Sequence, residues 1–187
     1  MAAKRRSTAS VPKTYEFTPF GPFNIPLAGP ARNRYPDHET LKVLWERPGF
    51  RPLADARGCY VFALQTSGGG SKPIYVGKTA AGKFRGACFK DGNFRKLHRG
   101  LEGETGRLVL FLIRYEEERR AGRRNESVIG AMEAHLITVA YARNPNLINK
   151  QGTRRKWQLR IKGVINPGQG KPPKGAAPLR KTLGLDG

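Results

Sequence analysis

The segment that most restricts the fold is Arg107–Tyr115, RLVLFLIRY, where six apolar residues run unbroken between two arginines. Such a run is far too short for a membrane span and reads as a buried central strand. Two strand partners are available upstream. Gly58–Thr66 (GCYVFALQT) and Pro73–Gly77 (PIYVG) are short, apolar and β-prone, and the Gly-rich Ser67–Lys72 between them reads as the loose connection of a hairpin. Downstream, Ser127–Ala142 is the clearest helix, with Ile129, Met132, Leu136, Ile137 and Ala140 at helical spacing and Asn144-Pro145 closing it. Residues 83–89 and 93–101 read as short helices, the second capped by Asn93 and carrying Phe94, Leu97 and Leu101. The expected fold class is α+β: a small central β-sheet of about three strands, led by the hairpin and flanked by helices.

The flanks read differently. Residues 1–14 form a basic arm, and residues 15–36 interleave aromatics with five prolines. Each proline removes a backbone donor, so this stretch is expected to drape over the domain as an irregular extension anchored by Phe17, Phe20 and Phe23, not to form a central strand. Residues 37–47 read as a short helix, with Asp37 at its start and Leu41, Leu44 and Trp45 on one face. From Lys150 onward, ten Lys and Arg stand against a single acid, Asp186. Trp157, Leu159, Ile161, Val164 and Ile165 can supply one extra strand there, and the remainder reads as an extended basic tail. The chain thus divides into an N-terminal arm and extension (1–57), a core (58–150) and a basic C-terminal extension (151–187).

Charge names a partner. The 35 Lys and Arg exceed the 14 acids by a formal +21, and self-repulsion of that size is most simply offset by a polyanion. Nucleic acid is the first candidate, with Arg154, Arg155, Lys156, Arg160 and Lys162 as the expected basic contacts of the C-terminal extension. Cys59 and Cys88 are not spaced as a zinc site or a disulfide framework. The basic N-terminus lacks the apolar stretch of a secretory signal. No membrane partner and a cytoplasmic, nucleoid-associated location are therefore expected.

Gly58-Cys59-Tyr60 followed by Tyr75-Val76-Gly77 resembles the paired half-motifs of the GIY-YIG nuclease family. Arg85 falls eight residues past Gly77, where that family carries an arginine. Glu133 lies on a later helix beyond a third strand, where the family has its metal-binding glutamate, and Pro145-Asn146-Leu147-Ile148-Asn149 resembles its closing segment. The resemblance covers about residues 58–150, and Cys59 departs from the usual isoleucine.

The residues themselves leave alternatives open. Tyr60 and Tyr75, alternating with apolar neighbours, can emerge on one face of the sheet, as ordinary sheet tyrosines also do. Glu133 sits between Ile129 and Ile137 on the apolar stripe, where a carboxylate is costly unless it binds a cation or forms an ion pair with a buried arginine. Lys78 can contact a phosphate or remain solvated. Gly77, His98 and Asn149 are possible supporting residues: Asn149 hydrogen-bonds near the site or caps a connection, and His98 serves chemistry or simply faces solvent.

The resemblance implies phosphodiester hydrolysis with one Mg²⁺ or Mn²⁺ per site on Glu133, Arg85 on the phosphate, and Tyr60 as general base. Tyr75 and Lys78 assist, and the products carry 5′-phosphate and 3′-hydroxyl ends. Because a phenol titrates near 10, that base needs positive charge close by. A small restriction or defence enzyme, possible as a homodimer and acting on double- or single-stranded DNA, is one expectation. A non-catalytic DNA- or RNA-binding protein is the other.

Overall fold

In a computed structural model describing residues 14–30, 34–68, 70–116, 123–149, 158–165 and 170–185, the Arg107–Tyr115 run is a strand in the middle of a five-stranded sheet. In chain order the strands are β1 (Thr14–Asn24), β2 (Leu27–Ala28), β3 (Tyr35–Pro36), β4 (Gly58–Gln65), β5 (Ser71–Thr79), β6 (Arg107–Tyr115) and β7 (Gln158–Ile161). The helices are α1 (His38–Leu44), α2 (Phe84–Ala87), α3 (Asp91–Leu101), α4 (Arg123–Arg143) and α5 (Ala176–Leu183). The main sheet runs β5-β4-β6-β1-β7, antiparallel except for the parallel β1/β7 pair, while β2 and β3 form a separate two-stranded ribbon.

Three expectations are corrected here. The sheet has five strands, not about three. The N-terminal extension is not irregular, because β1 lies between β6 and β7. Its prolines are accommodated locally. β7 pairs only with Thr14–Phe17, so Pro19 lies beyond the doubly paired stretch, and Pro22 falls within the register shift between Phe20 and Phe23. Proline is tolerated at edges and bulges because no ladder bond is lost there. The C-terminal stretch is not wholly an extended tail either. Ala176, Leu179 and Leu183 recur at helical spacing in α5 and are buried against the sheet core. The extra strand expected around Ile161 is present as β7.

Strand alternation divides the core into two layers. Cys59, Val61 and Ala63 of β4 and Val109, Phe111 and Ile113 of β6 join Ile129, Met132 and Leu136 of α4. Tyr60, Phe62 and Leu64, with Leu108, Leu110 and Leu112, face α1, α2 and α3. The hairpin, the α1 apolar face and the α4 stripe are as the sequence predicts. Among the described residues, no helix is long and apolar enough to cross a membrane.

Candidate active site

The β4–β5 hairpin positions both motif tyrosines. Tyr60 pairs across to Gly77 and Phe62 to Tyr75, so the two phenols share the α3 side of the sheet. Their ring centroids are 6.2 Å apart. Each motif glycine has a steric reason. A Cβ on Gly77 would lie 2.4 Å from the Tyr60 ring, so the second motif's glycine makes room for the first motif's tyrosine. Gly58 has φ +149° and its backbone meets the Ile113 carbonyl so closely that a Cβ would sit 2.0 Å from it. No L side chain fits there.

One polar residue joins the phenols, in a role other than the helix cap expected of it. Asn93 is not the helix cap, since α3 begins at Asp91. Its Oδ1 accepts from the Tyr75 hydroxyl at 3.1 Å, and its Nδ2 donates to the Tyr60 oxygen and the Ala87 carbonyl, each at 2.8 Å. One turn on, Lys96 places its Nζ 5.5 Å from the centre of the Tyr75 ring. The only signal for either residue was a spacing of three along a short helix, which is uninformative without the hairpin beneath it.

Burial dominates the electrostatics of the phenols. Tyr60 is 2% and Tyr75 6% exposed. Burial pushes both hydroxyls above the usual phenol range; Cys88, Tyr75 and the Glu133 charge raise Tyr60 further, while the Asn93 hydrogen bond opposes the shift. For Tyr75 the Glu133 charge is the next cause after burial. The direction is opposite to what a resting general base needs, so the expected depression by positive charge is not present in the protein alone.

Lys78 accounts for that. By alternation it leaves β5 on the α4 side, and its Nζ lies 2.7 Å from Glu133 Oε2. Gly130, one turn before Glu133, leaves the space the lysine crosses: an added Cβ would lie 3.7 Å from its Nζ. Glu133 is therefore in an ion pair with a lysine, not a buried arginine, and is only partly buried, with 20% of its side chain exposed. It nonetheless stands at the hairpin, close enough to raise both phenols.

Arg85 lies on α2, whose turn is fixed by Phe84 N donating to Ala56 O and Arg85 N to Ala54 O, each at 3.0 Å. The guanidinium is exposed, has no ion-pair partner among the described residues, and lines a cavity of about 250 Å³ with Leu41, Trp45, Glu46 and Phe89. Two residues further, Ala87 supplies the carbonyl that holds Asn93.

Asn149 acts on backbone. Its amide accepts from Val76 N at 3.1 Å and donates to Val76 O at 2.5 Å, and Ile148 N donates to Ile74 O at 3.0 Å. The outer edge of β5 is thus hydrogen-bonded between the two residues of its motif, Tyr75 and Gly77. His98 is not brought to the phenols by its helix: five residues past Asn93 it points about 140° around α3, and its ring lies 5.9 Å from that of Tyr35. In the C-terminal extension, Arg160 and Lys162 share Glu16 of β1 at 3.0 and 3.5 Å. Part of their charge is therefore offset internally. Arg154, Arg155 and Lys156 lie outside the described residues.

No cluster of three or more His, Cys, Asp or Glu able to hold a metal occurs among the described residues. Glu133 by itself fits a Mg²⁺ or Mn²⁺ ion that keeps its waters and completes its shell with substrate phosphate, since Mg²⁺ commonly takes one or two carboxylates. It does not fit a caged ion. Comparison of the chain with protein families, characterised proteins and solved structures finds no match.

Proposed function

We propose that this protein is a metal-dependent endonuclease of the GIY-YIG type that hydrolyses DNA phosphodiester bonds, acting as a small restriction or defence nuclease. The observation that carries the reading is the meeting, at one hairpin, of two hydrogen-bonded phenols and a largely buried carboxylate on the apolar stripe of α4.

In this reading Glu133 holds one Mg²⁺ or Mn²⁺, which supplies positive charge to the scissile phosphate and the departing 3′ oxygen. Arg85, without an ion-pair partner among the described residues, takes a non-bridging phosphate oxygen and supports the charge that builds during attack. Tyr60, as the phenolate formed by loss of its proton to hydroxide in solution, accepts the proton of the attacking water, and Tyr75 orients that water. The new bond joins the water oxygen to phosphorus, the bond to the 3′ oxygen breaks, and that oxygen takes a proton from solvent water to become the 3′-hydroxyl. Lys78 holds Glu133 in place before substrate arrives. Because burial keeps the Tyr60 proton on, cleavage is expected to rise with pH through the alkaline range. Two cuts in a duplex require two such sites, which a homodimer supplies.

Plasmid nicking tests this directly. Cleavage in Mg²⁺ should vanish with chelator, in Glu133→Ala and in Tyr60→Phe, with folding checked by circular dichroism. The second reading, a basic nucleic-acid-binding protein without catalysis, draws on the protonated phenols and the Lys78–Glu133 pair. Binding without cutting of any DNA or RNA, in either metal, selects it.

A further inference from the structure

A second feature of α3 lies on a different face from the phenols. Tyr35, Pro36, Phe94, Arg95 and His98 line an open cleft of about 360 Å³ between β3 and α3, within the size range of small-molecule clefts, about 300–1,000 Å³. Tyr35 is 44% exposed and meets His98 edge to face with rings 5.9 Å apart. Phe94 is tied to the interior through Phe89, at 6.2 Å between ring centres. β3 is held in place from behind: Arg34, next to Tyr35, donates to the Gly106 and Glu104 carbonyls at 2.7 and 2.8 Å. An exposed aromatic on a fixed support loses little freedom when it stacks.

The rim is cationic. Arg95 lines the cleft and Arg99 follows it one helical turn further along α3; both are exposed, and neither has an acidic partner among the described residues. Like charges at that spacing destabilise a helix, a cost that an anion lying between them removes. Aromatic surface bordered by unpaired guanidinium groups matches a nucleotide, whose base stacks while its phosphates meet the arginines.

We propose that this cavity binds one unpaired nucleobase of a nucleic-acid strand, with the adjoining phosphates on Arg95 and Arg99. The base must be unpaired, because inside a duplex both of its faces are covered by neighbouring pairs. Asn93 and Lys96 face the phenols while Phe94, Arg95 and His98 line the cavity. A strand held at one face of α3 therefore has a nearby nucleotide within reach of the other. The proposal rests on the nucleic-acid half of the function above and is independent of hydrolysis.

The test measures binding of the full chain, in chelator, to a fluorescent oligothymidylate of about 12 nucleotides and to a duplex of the same length. Tyr35→Ala should weaken single-strand binding by roughly 5- to 100-fold, as loss of one stacked base does, with duplex binding and the salt slope unchanged. Tyr35→Phe, which keeps the ring, should bind like the parent. Arg95→Gln combined with Arg99→Gln should instead flatten the salt dependence, by about one unit of slope per lost phosphate contact. A parent that binds the single strand while Tyr35→Ala binds it equally well overturns the pocket and leaves the nuclease reading intact. A parent that binds neither probe overturns both.

Discussion

Beneath α4, strands β4 and β5 present Cys59, Val61, Ala63 and Val76, with the aromatics Phe17, Phe111 and Tyr115 of β1 and β6 in the same layer, whereas the α3 side receives Tyr60, Phe62, Tyr75 and a row of leucines. Small and β-branched side chains let the 21-residue α4 lie along the sheet. Aromatics prop up shorter helices instead, and around them the structure has the Arg85 cavity, the Tyr35 cavity and the Asn93 hydrogen bonds. One face is built mainly for stability and the other for polar chemistry. Lys78 and Glu133 are exceptions, a polar pair on the stable side.

The largest expected effect lies on the α4 face. Phe111 is fully buried in mid-sheet, so Phe111→Ala should cost about 3–5 kcal/mol in denaturant unfolding. A loss below about 1 kcal/mol would mean that this face is not closely packed. Glycines provide a second contrast. Gly77→Ala drives a methyl toward the Tyr60 ring 2.4 Å away, an overpacking expected to cost about 1–3 kcal/mol and to move the ring. Gly130→Ala, whose nearest neighbour is the end of Lys78 at 3.7 Å, should be neutral or gain up to about 1 kcal/mol from helix propensity. Equal costs at the two sites would erase the distinction between the faces.

Next in size is the polar link. Asn93→Ala leaves two buried phenol hydroxyls without their shared partner, a loss of about 1–3 kcal/mol. It also bears on pH. The Tyr60 hydroxyl is raised above its unfolded value of about 10, so above that pH the unfolded chain releases a proton that the folded chain keeps. Stability is then fully present below about 10 and declines as pH rises beyond it. Thermal unfolding across the alkaline range should show the decline in the parent and a shallower one in Tyr60→Phe. Matching slopes would mean that Tyr60 does not carry the effect.

Much of this is legible in the residue pattern alone. The period-two pattern of β4 and β6 and the helical stripe of α4 declare their own partners, because burial on defined faces leaves little choice of register. Proline counting misled at β1, where the bulge and the short reach of β7 make Pro19 and Pro22 harmless. In α5 the apolar spacing was masked by the surrounding Lys, Gly and Pro. The motif residues Tyr60, Tyr75 and Glu133 were readable as a set, and the hairpin register does bring the phenols together. Asn93 and Lys96 were not, because their roles exist only where α3 crosses the hairpin. Gly58, Gly77 and Asn149 proved to be structural parts of the motif: two make room and one completes an edge.

The smallest effect separates the faces most finely. Lys78 and Glu133 join at 2.7 Å, yet their side chains are 42% and 20% exposed, so water screens the pair and its net worth is about 0–1 kcal/mol. Lys78→Met should barely shift the unfolding midpoint. Its electrostatic consequence reaches further, because Glu133 raises both phenols and Lys78 balances that charge. Ultraviolet titration should find the Tyr60 and Tyr75 protons held more tightly in Lys78→Met and less tightly in Glu133→Gln, with Tyr60→Phe identifying the contribution of each ring. Phenol titrations that ignore both substitutions would show the α4 carboxylate and the α3 hydroxyls to be electrically separate, and a shared phosphate site would lose its physical basis.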